Sequence, residues 1–196
     1  CLKDLGFSVT FSEEKKEAVI TGCGGKIPKK EAKIYVGSAG TAARFLTALL
    51  GMSDGTYEIQ ASEQMKARPM DALFDSLKSL GAEITYLEKE GYLPVKIGNR
   101  GICTGHVCVD IEKSSQFLSA LLISSVILQH DFTIEMTGEH GKAYVELTAH
   151  MMKEFGGVPV QPDETTYFIS KDMKYLPMEY QVEPDLSAAC YFYAMA

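Results

Sequence analysis

Repetition is the feature that most constrains what this chain can fold into. Apolar, helix-like runs end at Leu5-Gly6, Leu80-Gly81 and Phe155-Gly156, and the three glycines fall 75 positions apart each time. A second echo runs beside the first. FLTALL at Phe45 to Leu50 returns as FLSALL at Phe117 to Leu122, 72 positions on, and a weaker form, Ser187-Ala188-Ala189-Cys190-Tyr191-Phe192, follows. A fixed period this long means that one supersecondary unit recurs about a pseudo-axis, so each copy offers equivalent positions for a ligand. Function is expected where the copies differ.

Hydrophobic periodicity defines the unit. Ser8 to Phe11 and Ala18 to Thr21 read as paired strands across a charged turn, which makes residues 1–22 a partial unit. Over 33–98 the order is strand (Lys33 to Gly37), helix (Thr41 to Leu50), strand (Tyr57 to Ala61), helix (Met70 to Leu80) and two strands (Glu83 to Leu87, Leu93 to Ile97). This is βαβαββ. The order recurs over 107–171 with Val107 to Ile111, Ser115 to Ser125, Phe132 to Met136, Ala143 to Phe155, Val158 to Gln161 and Tyr167 to Ser170. Another copy opens with a strand at Tyr180 and a helix after Ser187. No linker-like Pro/Ser/Gly tract separates the copies, so the expected fold class is α/β (α+β), with helices against mixed sheets and residues 1–177 in one domain. CLKDLG reads as the last turn of a helix, and AACYFYAMA closes without a stop signal; both ends read as cut, and the chain as a fragment of a longer protein.

At 196 residues, 46% apolar and 23% charged, the chain has the composition of a globular fold. A net charge of −7 opposes a general nucleic-acid surface, because phosphate backbones are held by surplus Lys and Arg. An anionic ligand must therefore meet a local positive patch, which draws attention to the arginines Arg44, Arg68 and Arg100. No apolar run is long enough to span a bilayer and no signal peptide opens the sequence, so a cytoplasmic protein is expected. Cys1, Cys23, Cys103, Cys108 and Cys190 are scattered without a C-x-x-C pair and read as reduced thiols in packing roles. His106, His130, His140 and His150 show no metal-ligand spacing, so no metal is expected.

The copies differ most at their strand-to-helix turns. Gly37-Ser38-Ala39-Gly40-Thr41-Ala42-Ala43-Arg44 combines small residues, which let a ligand approach the backbone, with helix N–H groups that favour an anion. Such turns also occur for purely structural reasons, and Thr41 can cap the helix or touch a ligand. Lys66-Ala67-Arg68-Pro69-Met70 places a lysine and an arginine fork before a proline expected at helix position N1. In the second copy, Lys113-Ser114-Ser115-Gln116 offers two hydroxyls and an amide at a helix start, to cap it or to bind a polyol phosphate. Glu139-His140-Gly141-Lys142-Ala143-Tyr144 occupies the place of Lys66 to Met70.

GSAGTAARFLTALL, KARPMDALFDSLKSLGAEITY, SSQFLSALL, AYVELTAHMMKEFG and VEPDLSAACYF, in this order, closely resemble the 5-enolpyruvylshikimate-3-phosphate synthase family over essentially the whole chain. The resemblance implies two domains of three βαβαββ units each, arranged about a pseudo-threefold axis, with 178–196 leading toward the second domain. It implies transfer of the enolpyruvyl group of phosphoenolpyruvate to the 5-hydroxyl of shikimate 3-phosphate, in aromatic amino-acid biosynthesis, by a monomer without cofactor that glyphosate inhibits. Carried over by motif, Gly40, Thr41, Arg68 and Gln116 would bind phosphoenolpyruvate. Ser114, Ser115, Gln116, Tyr144 and Lys142 would hold shikimate 3-phosphate, with Arg44 and Lys66 in support. No catalytic residue is assigned within this chain.

Some positions depart from the pattern. The family commonly has serine where Gly141 stands, asparagine where Ser38 stands, and proline or leucine at Phe45. The Gly-Ser-Lys-Ser segment with its active-site lysine and the second domain's catalytic residues are not in this sequence, so the fragment alone is expected to be inactive. The related UDP-N-acetylglucosamine enolpyruvyl transferases carry a cysteine five residues before the arginine, where this chain has Glu63. A noncatalytic repeat module that only binds is the alternative of a different class.

Overall fold

Strand alternation and helical periodicity produce elements close to those expected, in a computed structural model that describes residues 1–99, 101–102, 104–184 and 186–195, with the backbone only at 186–188. Arg100 and Cys103, and the side chains of Ser187 and Ala188, lie outside the described residues. The hairpin pairs β1 (Val9–Ser12) with β2 (Glu17–Ile20) in antiparallel register. The next copy runs β3 (Glu31–Tyr35), α1 (Gly40–Gly51), β4 (Gly55–Gln60), α2 (Glu63–Lys66), α3 (Asp71–Ser79), β5 (Glu83–Tyr86) and β6 (Val95–Asn99). Its four strands lie in the order β3-β4-β6-β5, parallel between β3 and β4 and antiparallel elsewhere. The following copy runs β7 (His106–Asp110), α4 (Gln116–Ser125), β8 (Phe132–Thr137), α5 (Lys142–Glu154) and β9 (Thr166–Ile169), in a sheet ordered β7-β8-β9 with the same parallel and antiparallel pairs. α6 (Leu186–Tyr193) is the last element among the described residues.

The core follows the sequence echo. In the two larger sheets alternate strand residues point inward, burying Tyr57 and Ile59, Val95 and Ile97, Val107 and Val109, and Phe132 and Ile134. The helices that carry the repeated motif, α1 and α4, pack against each other, and Ala43, Ala48 and Leu50 are fully buried along with Phe117, Leu118, Ala120, Leu121 and Leu122. This contact sets one copy's strand-to-helix turn beside the other's. Among the described residues, no helix is long and apolar enough to cross a membrane.

Several expectations are corrected. The strand expected from Val158 to Gln161 reduces to a single bridge between Val160 and Phe168, with N–H to O distances of 2.8 and 2.7 Å. Pro159 and Pro162 flank that bridge and have no N–H to extend the ladder. The strand expected at Tyr180 is irregular chain between Pro177 and Pro184. Residues 2–6, by contrast, close as the last turn of a helix does: Leu5 N–H donates to Cys1 O, Gly6 N–H to Lys3 O and Phe7 N–H to Leu2 O, each at 3.0 Å, around Gly6 at φ 91°. Pro69 is not the first helical residue. Met70 takes the N-cap with φ −129°, and its N–H donates to Gly91 O at 2.9 Å, which delays α3 to Asp71. Cys23, Cys108 and Cys190 are exposed and pack no core, Cys108 because it alternates with the inward Val107 and Val109 on β7.

Candidate functional site

The turn before α1 ends at Ala39, the N-cap, whose side chain cannot cap, so Thr41 is not the cap and its hydroxyl stays available. Across from it, Ser115 is the N-cap of α4 and makes no side-chain cap bond. Both turns open on a cavity of about 460 Å³. Thr41, Arg44 and Arg68 line it from one copy; Ser114, Ser115, Gln116 and Tyr144 line it from the next. Residues separated by most of a repeat thus meet in one place.

Gly40 lies where the positive charge is densest. A Cβ at this position would come within 2.5 Å of Arg68 Nη1 and 2.6 Å of Arg44 Nη1, so only glycine leaves the two guanidiniums where they are. Among the described residues neither arginine makes an ion pair with a carboxylate. Burial, and then the neighbouring charge of Arg68, pull the pKa of Arg44 below its ordinary value. Two like charges without a counterion, one of them desolvated, form an anion-binding arrangement. Arg68 itself is exposed, as a group that meets a ligand from solvent must be.

Of the residues singled out from the sequence, Gly40 lies against the two guanidiniums without itself lining the cavity, and two lysines do not join it. Lys66 Nζ is held by Glu63 at 3.0 Å and Glu88 at 2.7 Å, and the hydrogen bonds it donates to Glu88 and Glu63 raise its pKa. Lys142 Nζ pairs with Glu139 at 2.9 Å and lines a separate cavity with Glu146 and Tyr167. Helix geometry explains the separation: two residues on, Tyr144 is turned by roughly 200° around α5 and faces the other way. His140, named from the sequence only within the stretch before α5, lines the cavity, as do Ser119, Leu147 and Thr148, which the sequence did not mark as site residues. Leu147 and Thr148 stand three and four places beyond Tyr144, so helical spacing was the signal for both.

Lys113, next to Ser114, reaches Asp71 at the start of α3 with Nζ to Oδ2 of 2.5 Å. Burial pushes the Asp71 carboxyl up, but the hydrogen bond and charge of Lys113, with two backbone N–H groups, hold it on balance below 3.8. A depressed carboxylate stabilises the fold above its unfolded pKa and loses that contribution as pH falls through the folded value. Side chains 51% and 41% exposed are strongly screened. Asp71→Asn is therefore expected to cost no more than about 1 kcal/mol at neutral pH, with the difference from wild type closing below pH 3.8. Urea unfolding at a series of pH values checks it, and a penalty that persists at the acid end refutes the pairing.

Gly141 is the N-cap of α5 at φ 69°, and a Cβ there would lie 2.7 Å from Ser115 Oγ and 3.0 Å from Ser115 Cβ. A serine has no room at this position while Ser115 keeps its place. Gly141→Ser is expected to lower stability by about 1–2 kcal/mol, from the left-handed backbone and the displaced Ser115. Unfolding midpoints measure this, and an unchanged midpoint would mean that the two helix starts are not in contact.

The whole chain, residues 1–196, matches the family model for EPSP synthase (3-phosphoshikimate 1-carboxyvinyltransferase). Among curated relatives, the 3-phosphoshikimate 1-carboxyvinyltransferase of Sulfurovum sp. (strain NBC37-1) is 41% identical over 198 residues, covering 100% of this chain and 46% of that protein. Those of Vibrio campbellii (39% over 198 residues) and Trichormus variabilis (36% over 197 residues) also align with 100% of this chain and 46% of their own length. Among solved structures, EPSP synthase from Acinetobacter baumannii superposes with a TM-score of 0.73 at 23% identity, over 97% of this chain and 42% of that one. The enolpyruvyl transferase NikO from Streptomyces tendae gives 0.62 at 13%, over 97% and 44%.

The fold, mixed sheets with helices in repeated units, is that of enolpyruvyl transferases. The chain belongs to the EPSP synthase (3-phosphoshikimate 1-carboxyvinyltransferase) family. It spans about half the length of the curated relatives it matches.

Proposed function

We propose that this chain contributes the shikimate 3-phosphate side of the active site to an enzyme that moves the enolpyruvyl group of phosphoenolpyruvate onto the 5-hydroxyl of shikimate 3-phosphate, releasing phosphate. The observation that carries the reading is the convergence of Arg44 and Arg68 on Gly40, beside hydroxyls and an amide from the next copy. Arg68 takes the phosphate of phosphoenolpyruvate through a charge-assisted fork, and Gly40 and Thr41 admit the small ligand to the helix start. Ser114, Ser115, Gln116 and Tyr144 hold shikimate 3-phosphate, with Gln116 between the two ligands.

The chemistry adds the 5-hydroxyl across the enol double bond, its oxygen to the phosphate-bearing carbon and a proton to the methylene, and then eliminates phosphate together with a proton of the resulting methyl group, which re-forms the enolpyruvyl double bond. The arginines offset the charge that gathers on the phosphate as it leaves, and the helix starts keep the two reactants at fixed orientation. We assign no proton-transfer group within these residues. Residues 1–177 form the substrate-binding domain on this reading, and 178–196 lead toward a facing one; the exposed Val182, Tyr191, Phe192 and Tyr193 support that course. The enzyme is a cytoplasmic monomer, and glyphosate competes with phosphoenolpyruvate at the Gly40 turn.

Calorimetric titration tests the reading. Shikimate 3-phosphate should bind saturably, and phosphoenolpyruvate more tightly in its presence than alone. A protein that binds neither, while giving a cooperative unfolding transition, would overturn the assignment.

A further inference from the structure

Arg44 and Gln116 stand at the same place in successive copies: each directly precedes its copy's Phe-Leu-x-Ala-Leu-Leu run, and 72 positions separate them. The two equivalent residues are bonded to each other. Arg44 Nη1 donates to Gln116 Oε1 at 2.9 Å, and Gln116 Nε2 donates to Thr41 Oγ1 at 3.0 Å. The divergence of the repeat at this one position, arginine in one copy and glutamine in the next, supplies the donor and the acceptor.

The direction of this chain of hydrogen bonds follows from chemistry. A guanidinium has only donors, so Gln116 must present its oxygen to Arg44. The NH2 end of the amide is then turned toward Thr41, whose oxygen must accept. That leaves the Thr41 hydroxyl proton for another acceptor, and among the described residues no hydrogen bond takes it. Thr41 lines the cavity, where a ligand oxygen would be the acceptor.

Arg44 is held as an orienting group must be. It is 6% exposed, its guanidinium lies 5.5 Å from the ring centre of Phe117, and its Nε is buried without a hydrogen-bond partner. A buried cation so sparsely bonded is costly, and a purely structural side chain at this helix position would not need the charge.

We propose that Arg44 is a positioning residue: it fixes the amide of Gln116 and, through it, makes the Thr41 hydroxyl a hydrogen-bond donor to an anionic ligand oxygen. The ligand part rests on the reading of the cavity as a phosphoenolpyruvate site, whereas the orientation of the amide does not. Polarisation along the chain strengthens the final bond, because each donor is made more acidic by the one behind it.

The experiment has a ligand-free arm and a ligand arm. Without ligand, the side-chain amide signals of Gln116, assigned by their loss in Gln116→Met, are followed by nitrogen-proton correlation spectra. Arg44→Met and Thr41→Val should each shift those signals and steepen their temperature dependence, and unchanged signals in both variants would overturn the proposal. With phosphoenolpyruvate and shikimate 3-phosphate, Thr41→Val should weaken phosphoenolpyruvate binding about tenfold in the wild type, and less than about twofold in the Arg44→Met background.

Gln116→Met breaks the relay in the middle while keeping the buried charge, and it should abolish the cost of Thr41→Val just as Arg44→Met does. It carries the test alone if Arg44→Met does not fold. Equal, additive losses in every background would show that Arg44 acts by charge alone and overturn the relay. A wild type that shows the expected amide behaviour but binds no phosphoenolpyruvate would support the orientation and remove the reading of the cavity.

Discussion

On the proposed function, Arg68→Ala in the full-length protein should raise the phosphoenolpyruvate requirement by roughly 10- to 150-fold, the loss of a charge-assisted hydrogen-bonding fork worth about 1.5–3 kcal/mol. Stability should change little, because Arg68 is exposed and belongs to no ion pair among the described residues. Removing it even relieves repulsion with Arg44, whose pKa is lowered in part by the Arg68 charge. The variant is thus expected to separate binding from folding. Steady-state kinetics and an unfolding curve decide it together: unaltered phosphoenolpyruvate dependence would take Arg68 out of the site. A large loss of stability would instead show that it braces the loop.

The fold was legible in this sequence to the extent that local pattern determined it. Alternation at Tyr57 and Ile59 or at Val107 and Val109 has one solution once a core exists, and the FLTALL and FLSALL runs mark equivalent helices that bury Ala48 and Leu50 in one copy and Ala120 and Leu122 in the next. What failed was where a single residue's chemistry outweighed the pattern. Val158 to Gln161 alternates like a strand, yet the two prolines beside Val160 withhold the N–H groups a second rung needs. The four-residue α2 was missed because it is too short to show a period, although Ser62 caps it by accepting from Met65 N–H at 3.4 Å.

The site was legible as a set of turns and illegible as a set of partners. Repeat logic picked out Thr41, Arg68 and Ser114 to Gln116, and the fold brings them to one cavity. Lys66 and Lys142 looked equivalent to the others by position and charge, but each has a carboxylate close by in sequence, Glu63 and Glu139, that satisfies it locally. The bond between Arg44 and Gln116 could not be read from either residue alone. It exists because α1 packs on α4, which makes two equivalent positions of the repeat neighbours.

That packing carries the other large expected effect. Phe117 and Phe45 are the same residue of the repeat, yet Phe117 is fully buried while Phe45 is only partly buried and borders the cavity. Phe117→Ala should therefore cost about 3–5 kcal/mol of unfolding free energy, the lost transfer of the ring plus the cavity left between closely packed helices. Set against a total of about 5–15 kcal/mol for a typical protein, that is enough to leave a marginal fold partly unfolded. Phe45→Ala should cost distinctly less, since solvent already reaches part of its ring. Phe117→Leu supplies the informative intermediate: it refills most of the volume but removes the aromatic face beside the Arg44 guanidinium, 5.5 Å away. Its stability loss should be well below that of the alanine variant, while its affinity for phosphoenolpyruvate should fall because Arg44, and with it the amide of Gln116, is less firmly placed. Urea unfolding and calorimetry on the three variants give the answer. Equal costs for Phe45→Ala and Phe117→Ala would mean that the two helices do not pack asymmetrically, and a Phe117→Leu protein with unchanged affinity would show that the ring supports the fold but not the site.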